Sequence, residues 1–347
     1  MSCIRSKRLF SATICLLLSF SLCSCGAPSA NTMHTTTLFA MDTVMELQIM
    51  GEEALLTNAE EMIRTLEKKL SVTDPQSEIA VLNSTGKSKL SEDTLSLTQN
   101  ALSLCRRTDG ALDITIYPVL KAWGFTTGQY RVPTQEEIDL LVKNVDFSQV
   151  ELDEESKTCS IPENMQLDLG SVAKGYTSKT LSEYFKENGV KSGLINLGGN
   201  VQCIGSKPGN TPWKIAIKSP YPDSQSGIYG VLEATDTAII TSGGYERYFE
   251  ENGKIYWHII DPKTGKPSHN DLLSVTIVGN DGLLCDALST ALFVKGLEGA
   301  IDEYKKSNDF DMILITTKGD VYITQGIRDN FSLSSEYYNA ALHTVEK

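Results

Sequence analysis

The sequence predicts an α+β fold made mostly of antiparallel strands with helices. Three observations carry that expectation. Apolar residues recur at helical spacing in both halves, short apolar or alternating runs crowd the second half, and Gly, Pro and Asn/Asp clusters of hairpin length separate those runs. Helices and strands therefore come in groups rather than in strict βαβ alternation. With 347 residues, 41 % hydrophobic and 22 % charged, the chain can bury a substantial core and is neither disordered nor fibrous. Its 31 Lys+Arg against 44 Asp+Glu leave a net charge of −13 with no basic run in the acidic chain, which argues against nucleic acid and anionic headgroups as partners. Eight cysteines are spread too thinly for a disulfide-stapled mini-protein.

Residues 1–24 read as a lipoprotein signal peptide. Arg5, Lys7 and Arg8 form a basic start, and Leu9 to Leu22 is an almost unbroken apolar run, too short to span a bilayer. It ends in Leu22-Cys23-Ser24-Cys25-Gly26, which resembles a bacterial lipobox. That reading puts a lipid on Cys25 as the new N-terminus and the mature protein outside the cytoplasm, on the bacterial cell membrane. An ordinary signal peptide cleaved nearby is the alternative. Residues 25–37 are then a lipidated terminus and a flexible tether, small, polar and Pro-containing. Cys105, Cys159, Cys203 and Cys285 remain in the mature chain, and no CxxC spacing says whether they pair.

One domain is expected over residues 38–347. Leu38 to Ile49 reads as a strand because Met45, Leu47 and Ile49 alternate with Glu46 and Gln48. Glu52 to Leu70 follows as an amphipathic helix with Leu55, Ala59, Met62, Leu66 and Leu70 on one face. A second helix covers Asp93 to Thr108 and stops at Gly110, and Thr134-Gln135-Glu136-Glu137 is a capping box opening a third. Val150 to Ile161 reads as a hairpin turning at Glu154-Glu155-Ser156. Further strands are expected at Leu194–Leu197, Trp213–Lys218, Tyr229–Ala234, Ala238–Thr241, Lys254–Ile260 and Leu272–Val278. Helices are expected at Ser171–Asn188, Leu283–Val294 and Leu297–Lys306, and a last hairpin at Met312–Ile323 around Lys318-Gly319-Asp320.

The most informative segment is Leu283 to Val294. It is apolar around the whole helix except at Asp286, Ser289 and Thr290. A buried aspartate costs several kcal/mol unless it is paired or bound to a metal. Asp286 and Thr290 stand one turn apart on one face, a donor pair that suits a hard cation such as Mg²⁺. The alternative is an Asp that accepts backbone N–H groups, with Thr290 bonding back to its own helix. Asp168-Leu169-Gly170-Ser171 through Lys174 then runs from a short strand into a helix, whose free N–H groups and Lys174 form a phosphate cradle. Ser171 could also be only a cap. Asn196 to Asn200 and Thr241 to Gly244 are Gly turns that let backbone approach a ligand. His258 ends a strand before the turn Asp261-Pro262-Lys263-Thr264-Gly265 and reads as structural or as a base. HExxH, CxxC, Walker A and GxGxxG patterns are missing from the sequence. Ser171–Lys174 and Lys263–Gly265 match the S-x-x-K and K-T-G of serine β-lactamases, but the third element of that set is missing, and the reading is rejected.

Taken in order, Met41-Asp42-Thr43, Ser77-Glu78-Ile79 through Asn83, Gly110-Ala111-Leu112-Asp113, Trp123-Gly124-Phe125, Asp168 through Tyr176, Asn196 to Asn200, Thr241-Ser242-Gly243, His258 to Gly265 and Asp286 to Thr290 resemble the ApbE family, the FAD:protein FMN transferases. The resemblance implies an ApbE-type, T-fold-like sandwich. It implies binding of FAD and Mg²⁺ and transfer of FMN onto a Ser or Thr hydroxyl of an acceptor protein, with release of AMP. The expected acceptor is a subunit of a membrane redox complex. By position, Asp286, Thr290 and a backbone oxygen of Ser171 would hold the metal, and Met41, Ala111, Leu112, Asp113, Asp168, Lys174 and Ile260 would contact the flavin nucleotide. His258 is assigned as general base with Asp168 as its rival. Thr73 stands where the family often has an aromatic residue. Hydrolysis of FAD to FMN and AMP, and a flavin- or solute-binding lipoprotein without catalysis, are the competing readings.

Overall fold

The computed structural model describes residues 32–347. The signal peptide, Cys25 and residues 26–31 of the expected tether lie outside them. The chain opens with a hairpin of β1 (Met33–Ala40) and β2 (Thr43–Met50), followed by α1 (Ala54–Leu70), α2 (Glu78–Thr85), β3 (Lys87–Lys89) and α3 (Glu92–Arg107). Next come α4 (Tyr117–Trp123), α5 (Gln135–Leu141), β4 (Glu151–Asp153), β5 (Thr158–Ser160) and α6 (Gly170–Glu187). Strands β6 (Ser192–Leu197), β7 (Asn200–Gly205), β8 (Trp213–Lys218), β9 (Ile228–Ala234) and β10 (Ala238–Gly243) follow. Two ribbons, β11 (Tyr248–Glu251) with β12 (Lys254–Trp257) and β13 (Ile260–Asp261) with β14 (Lys266–Pro267), precede β15 (Leu272–Gly279) and α7 (Gly282–Lys306). The chain closes with β16 (Asp311–Thr316), β17 (Val321–Thr324), β18 (Phe331–Leu333) and β19 (Leu342–Val345).

Nine strands form one sheet in the order β1-β2-β6-β7-β10-β15-β16-β17-β19, and a second sheet has the order β18-β9-β8. Every pairing in the large sheet is antiparallel except β17 with β19. Alternation along its central strands covers both faces. Ile239, Val278, Ile313 and Ile315 pack toward the small sheet, while Ile240, Val275, Ile277, Met312 and Leu314 pack with α7. On the flank, Leu55, Ala59 and Ile63 of α1 and Leu181 and Phe185 of α6 bury Met45, Leu47, Ile49 and Ile195. Helices on one face and a small antiparallel sheet on the other give the α+β sandwich that the sequence predicts.

The strongly periodic helices lie where the spacing puts them, and Gly296, with φ 73° and ψ −176°, breaks α7 between its two expected halves. Thr134 caps α5 by accepting the Glu137 N–H. Five expectations are corrected. The strand expected over Leu38–Ile49 is a hairpin that turns at Met41 and Asp42, both at positive φ without glycine. Its first strand begins at Met33, so the expected tether ends before Thr37. The strand expected over Lys254–Ile260 is two strands: the His258 N–H still bonds the Arg247 carbonyl (3.1 Å) as the last rung of the β11–β12 register, and the chain then leaves that ribbon and pairs again only from Ile260, with β14. The short strand expected before α6 is a single bridge, Ile116 to Gln166. Asn200, expected in a turn, opens β7.

Candidate active site

A cavity of about 480 Å³ opens where the start of α6, the first third of α7, the end of β10 and the β1–β2 turn converge. That volume is in the range of small-molecule sites. His258, Met41, Ala111, Leu112, Asp113, Asp168, Lys174, Ile260, Ser171, Asp286 and Thr290 all border it. Residues more than 240 positions apart in the chain are thus brought to one space by the sheet and by the crossing of α6 on α7.

Glycine makes that crossing possible. A Cβ on Gly175 would lie 2.4 Å from the Gly282 carbonyl and 2.5 Å from the Asp286 Cβ. The close approach lets the Gly175 N–H donate to Asp286 Oδ2 at 2.7 Å. The helical acceptor for that N–H is the Ser171 carbonyl, four residues back. Asp286 competes for the proton and so leaves the Ser171 oxygen freer to face a cation. Asp286 is buried, and desolvation raises its carboxyl to about 6 against the opposing pull of Lys174, the Gly175 N–H and Asn200.

A row of hydroxyls orients Thr290. Ser289 Oγ donates to the Asp286 carbonyl (2.8 Å), so it must accept from Ser242 Oγ (2.7 Å). Ser242, its proton used, can only accept from Thr290 Oγ1 (3.3 Å). Thr290 therefore keeps its lone pairs for another partner, and Ser289, not Thr290, is the residue that bonds back to its helix. Asn200, 2 % exposed, borders the same space with its amide near the Asp286 carboxyl, and neither amide atom makes a well-formed hydrogen bond among the described residues. Among the described residues, no three or more His, Cys, Asp or Glu side chains converge on one point. One carboxylate, hydroxyl and carbonyl oxygens and a buried, under-bonded amide fit a hard cation that takes its other ligands from water and phosphate.

Cations also border the cavity, among them Lys174, beside Asp286, and Arg247. Lys174, at the start of the second turn of α6, makes no ion pair among the described residues, and Arg247 reaches the Phe125 carbonyl at 3.4 Å. His258 sits between them in charge terms. Burial and then the charges of Arg247 and Lys174 push its imidazole down to about 4, so it is neutral near pH 7. Nδ1 faces the Arg247 carbonyl at 3.1 Å and must carry the proton, because a carbonyl only accepts. Nε2 is left as a proton acceptor.

The two other acids are more constrained. Asp168 accepts the Gly170 N–H at 2.6 Å, and burial raises its carboxyl. Both oxygens of Asp113 are engaged by the protein, Oδ1 with the Thr115 N–H and hydroxyl and Oδ2 with the Phe147 N–H. Its carboxylate shapes the Ala111–Asp113 wall. Thr73 is exposed, bonds Ser71 Oγ at 3.2 Å and does not border the cavity; Phe125 supplies aromatic surface there. Arg247, Asn200, Ser242 and Gly175 are parts of the site that sequence reasoning gave no role. Asn200 and Ser242 lie in the Gly-turn motifs, while Arg247 follows Tyr245-Glu246 with no local signal.

Comparison with known proteins follows the same line. The model of the ApbE family matches residues 41–314. An FAD:protein FMN transferase of Klebsiella pneumoniae is 34 % identical over 293 residues, covering 82 % of this chain and 90 % of the relative. One of Vibrio cholerae is 30 % identical, covering 84 % and 87 %. Among solved structures, the ApbE protein of Thermotoga maritima superposes with TM-score 0.80 at 28 % identity, covering 86 % of this chain and 99 % of that one. The flavinyl transferase ApbE of Pseudomonas stutzeri does so with TM-score 0.76 at 26 % identity, covering 86 % and 96 %.

Proposed function

This chain belongs to the ApbE family, and on that premise we propose that its cavity moves FMN from FAD to a Ser or Thr hydroxyl of an acceptor protein with the help of Mg²⁺. The protein is an FAD:protein FMN transferase; the metal, the hydroxyl target and the place of action are the finer proposal. The observation that carries it is the meeting of Asp286 and Thr290 with Ser171, Lys174 and the start of α6 around one cavity.

Lys174, Arg247 and the N–H groups that open α6 hold the pyrophosphate of FAD. Asp286, Thr290 and the Ser171 carbonyl are the residues that would hold Mg²⁺, which when bound neutralises phosphate charge. The acceptor oxygen attacks the FMN phosphorus in line, forming a new P–O bond, and the bond from that phosphorus to the AMP oxygen breaks, the electron pair leaving with AMP. Nε2 of His258 takes the hydroxyl proton. Burial depresses its basicity most and the charges of Arg247 and Lys174 depress it further; substrate phosphates that neutralise those cations relieve their share of the depression. Asp168, already accepting from Gly170, orients the start of α6.

Intact mass spectrometry of acceptor protein incubated with the enzyme, FAD and Mg²⁺, beside an EDTA control, tests this reading. A gain of one FMN on Ser or Thr, in step with AMP and lost in EDTA, is expected. FMN and AMP without acceptor labelling would replace transfer by hydrolysis. We further propose that a lipid on Cys25 anchors the enzyme outside the cytoplasm, near an acceptor in a membrane redox complex. The lipobox-like leader supports this, and loss of palmitate incorporation in Cys25→Ser tests it. Among the described residues no helix is long and apolar enough to cross a membrane.

A further inference from the structure

Among the described residues the second edge of β8 pairs with no strand, and it faces the cavity. Ile215, Ala216, Ile217 and Lys218 all border that space. Successive side chains of a strand point to opposite faces, so four consecutive residues can meet one cavity only along the strand's edge. Among the described residues β8 pairs with β9 and with no other strand. The Ser219 N–H reaches the Gly227 carbonyl of the β9 side at 2.9 Å, which sets the phase of the ladder. The register shift between Ile217 and Lys218 adds its extra residue to β9, so the alternation along β8 is unbroken. Ile217 and Ile215 therefore turn their backbone groups to β9, while Lys218, Ala216 and Lys214 turn N–H and C=O outward.

The opposite bank has the same character. β10 pairs with β15 along its whole length but with β7 only at Ala238–Ile240. Thr241, Ser242 and Gly243 extend past β7 and border the same cavity. Ser242 leads directly to Thr290 and, through Ser289, to Asp286. A slot between two strand edges thus runs into the chemical end of the site.

We propose that the acceptor polypeptide enters this slot in extended form and pairs as an added strand with the bare edge of β8, which holds its hydroxyl residue over the cavity. The inference rests on the protein-modifying reading above. Exposed edges are usually guarded by charge, and β8 carries Lys214 and Lys218 on its exposed face. Both lysines are engaged, with Glu233 at 3.2 Å and Glu246 at 3.0 Å, and the small Ala216 between them leaves the middle clear. Backbone pairing supplies affinity without demanding a particular sequence, and the pleat turns alternate side chains toward the cavity.

The test uses synthetic peptides long enough to span the six residues of β8, each with one central Thr or Ser, screened for a gain of FMN with FAD and Mg²⁺. The best peptide is then N-methylated at one backbone position at a time. Strand pairing predicts that KM rises roughly tenfold at alternate positions and little between them. Ala216→Pro removes an N–H that β9 does not use, a substitution an edge strand tolerates; acceptor KM should rise at least roughly tenfold with little change in kcat. Equal tolerance at all positions, or an unchanged KM in Ala216→Pro, overturns the proposal, as does FMN transfer to folded membrane proteins but to no peptide. FAD left intact with both peptides and membrane proteins would instead sink the transferase reading itself.

Discussion

Asp286→Asn should make the metal-free protein more stable while abolishing its activity. In the folded chain the Asp286 carboxyl is raised by burial from 3.8 to about 6. The fold therefore prefers the neutral acid. Between those two values the unfolded chain ionises first, so the contribution of Asp286 to stability falls as pH rises from 3.8 to about 6 and is flat above. The difference corresponds to about 3 kcal/mol of strain in the metal-free protein near pH 7.5. Asn keeps an oxygen to accept the Gly175 N–H, now at 2.7 Å, and never ionises. Scanning calorimetry in EDTA at pH 7.5 should show Tm higher by roughly 5 °C in the variant, and the gap should close near pH 4. Mg²⁺ should raise the Tm of the parent only. A variant no more stable than the parent at pH 7.5, or equally stabilised by Mg²⁺, would refute the assignment of Asp286 as a strained, metal-ready carboxylate.

Other outcomes follow from the same geometry. Gly175→Ala forces a Cβ within 2.4 Å of the Gly282 carbonyl, so urea denaturation should show a loss of about 1–3 kcal/mol and Mg²⁺ titration a weaker affinity; unchanged Mg²⁺ binding would show that the crossing does not set the site. His258→Gln should lower FMN transfer by about 10²–10⁴-fold, with FAD affinity by fluorescence quenching nearly unchanged. If transfer survives, the proton goes to another group, with Asp168 first in line. Cys105, Cys159, Cys203 and Cys285 are buried free thiols, with burial pushing Cys105, Cys159 and Cys203 up to about 12 and Cys285 well up. A thiol reagent should leave these four unlabelled in the native protein and label all of them in urea; fast native labelling would contradict their burial.

Much of the fold was legible because its helices are long and one-sided. Leu55, Ala59, Leu66 and Leu70 lie buried on α1 where their spacing puts them, with Met62 half-buried beside them. Short elements were not. α2 and α4 span 8 and 7 residues, too few to show a period, and each is ended by a glycine at positive φ, Gly86 and Gly124. The turn at Met41-Asp42 was hidden for another reason. Neither residue is glycine, and the positive φ is held by tertiary contact, including the Met41 N–H on Glu67 Oε1 at 2.5 Å.

By itself the sequence determined the class of fold, the acidic and hydroxyl residues that break an apolar helix, and the ordered motifs that mark the ApbE family. These are properties of local pattern, which a chain carries whether or not it is folded. Only the tertiary structure decided which groups remain free to act. Asp113 and Asp168 look alike as acidic residues near Gly turns, yet three protein donors engage the first and one the second. Thr290 keeps its lone pairs because Ser242, distant in sequence, accepts its proton. The depressed basicity of His258 comes from burial and then from Arg247, across the β11–β12 ribbon, and Lys174, on distant α6. Desolvation and charge act through space, so no window of sequence contains them.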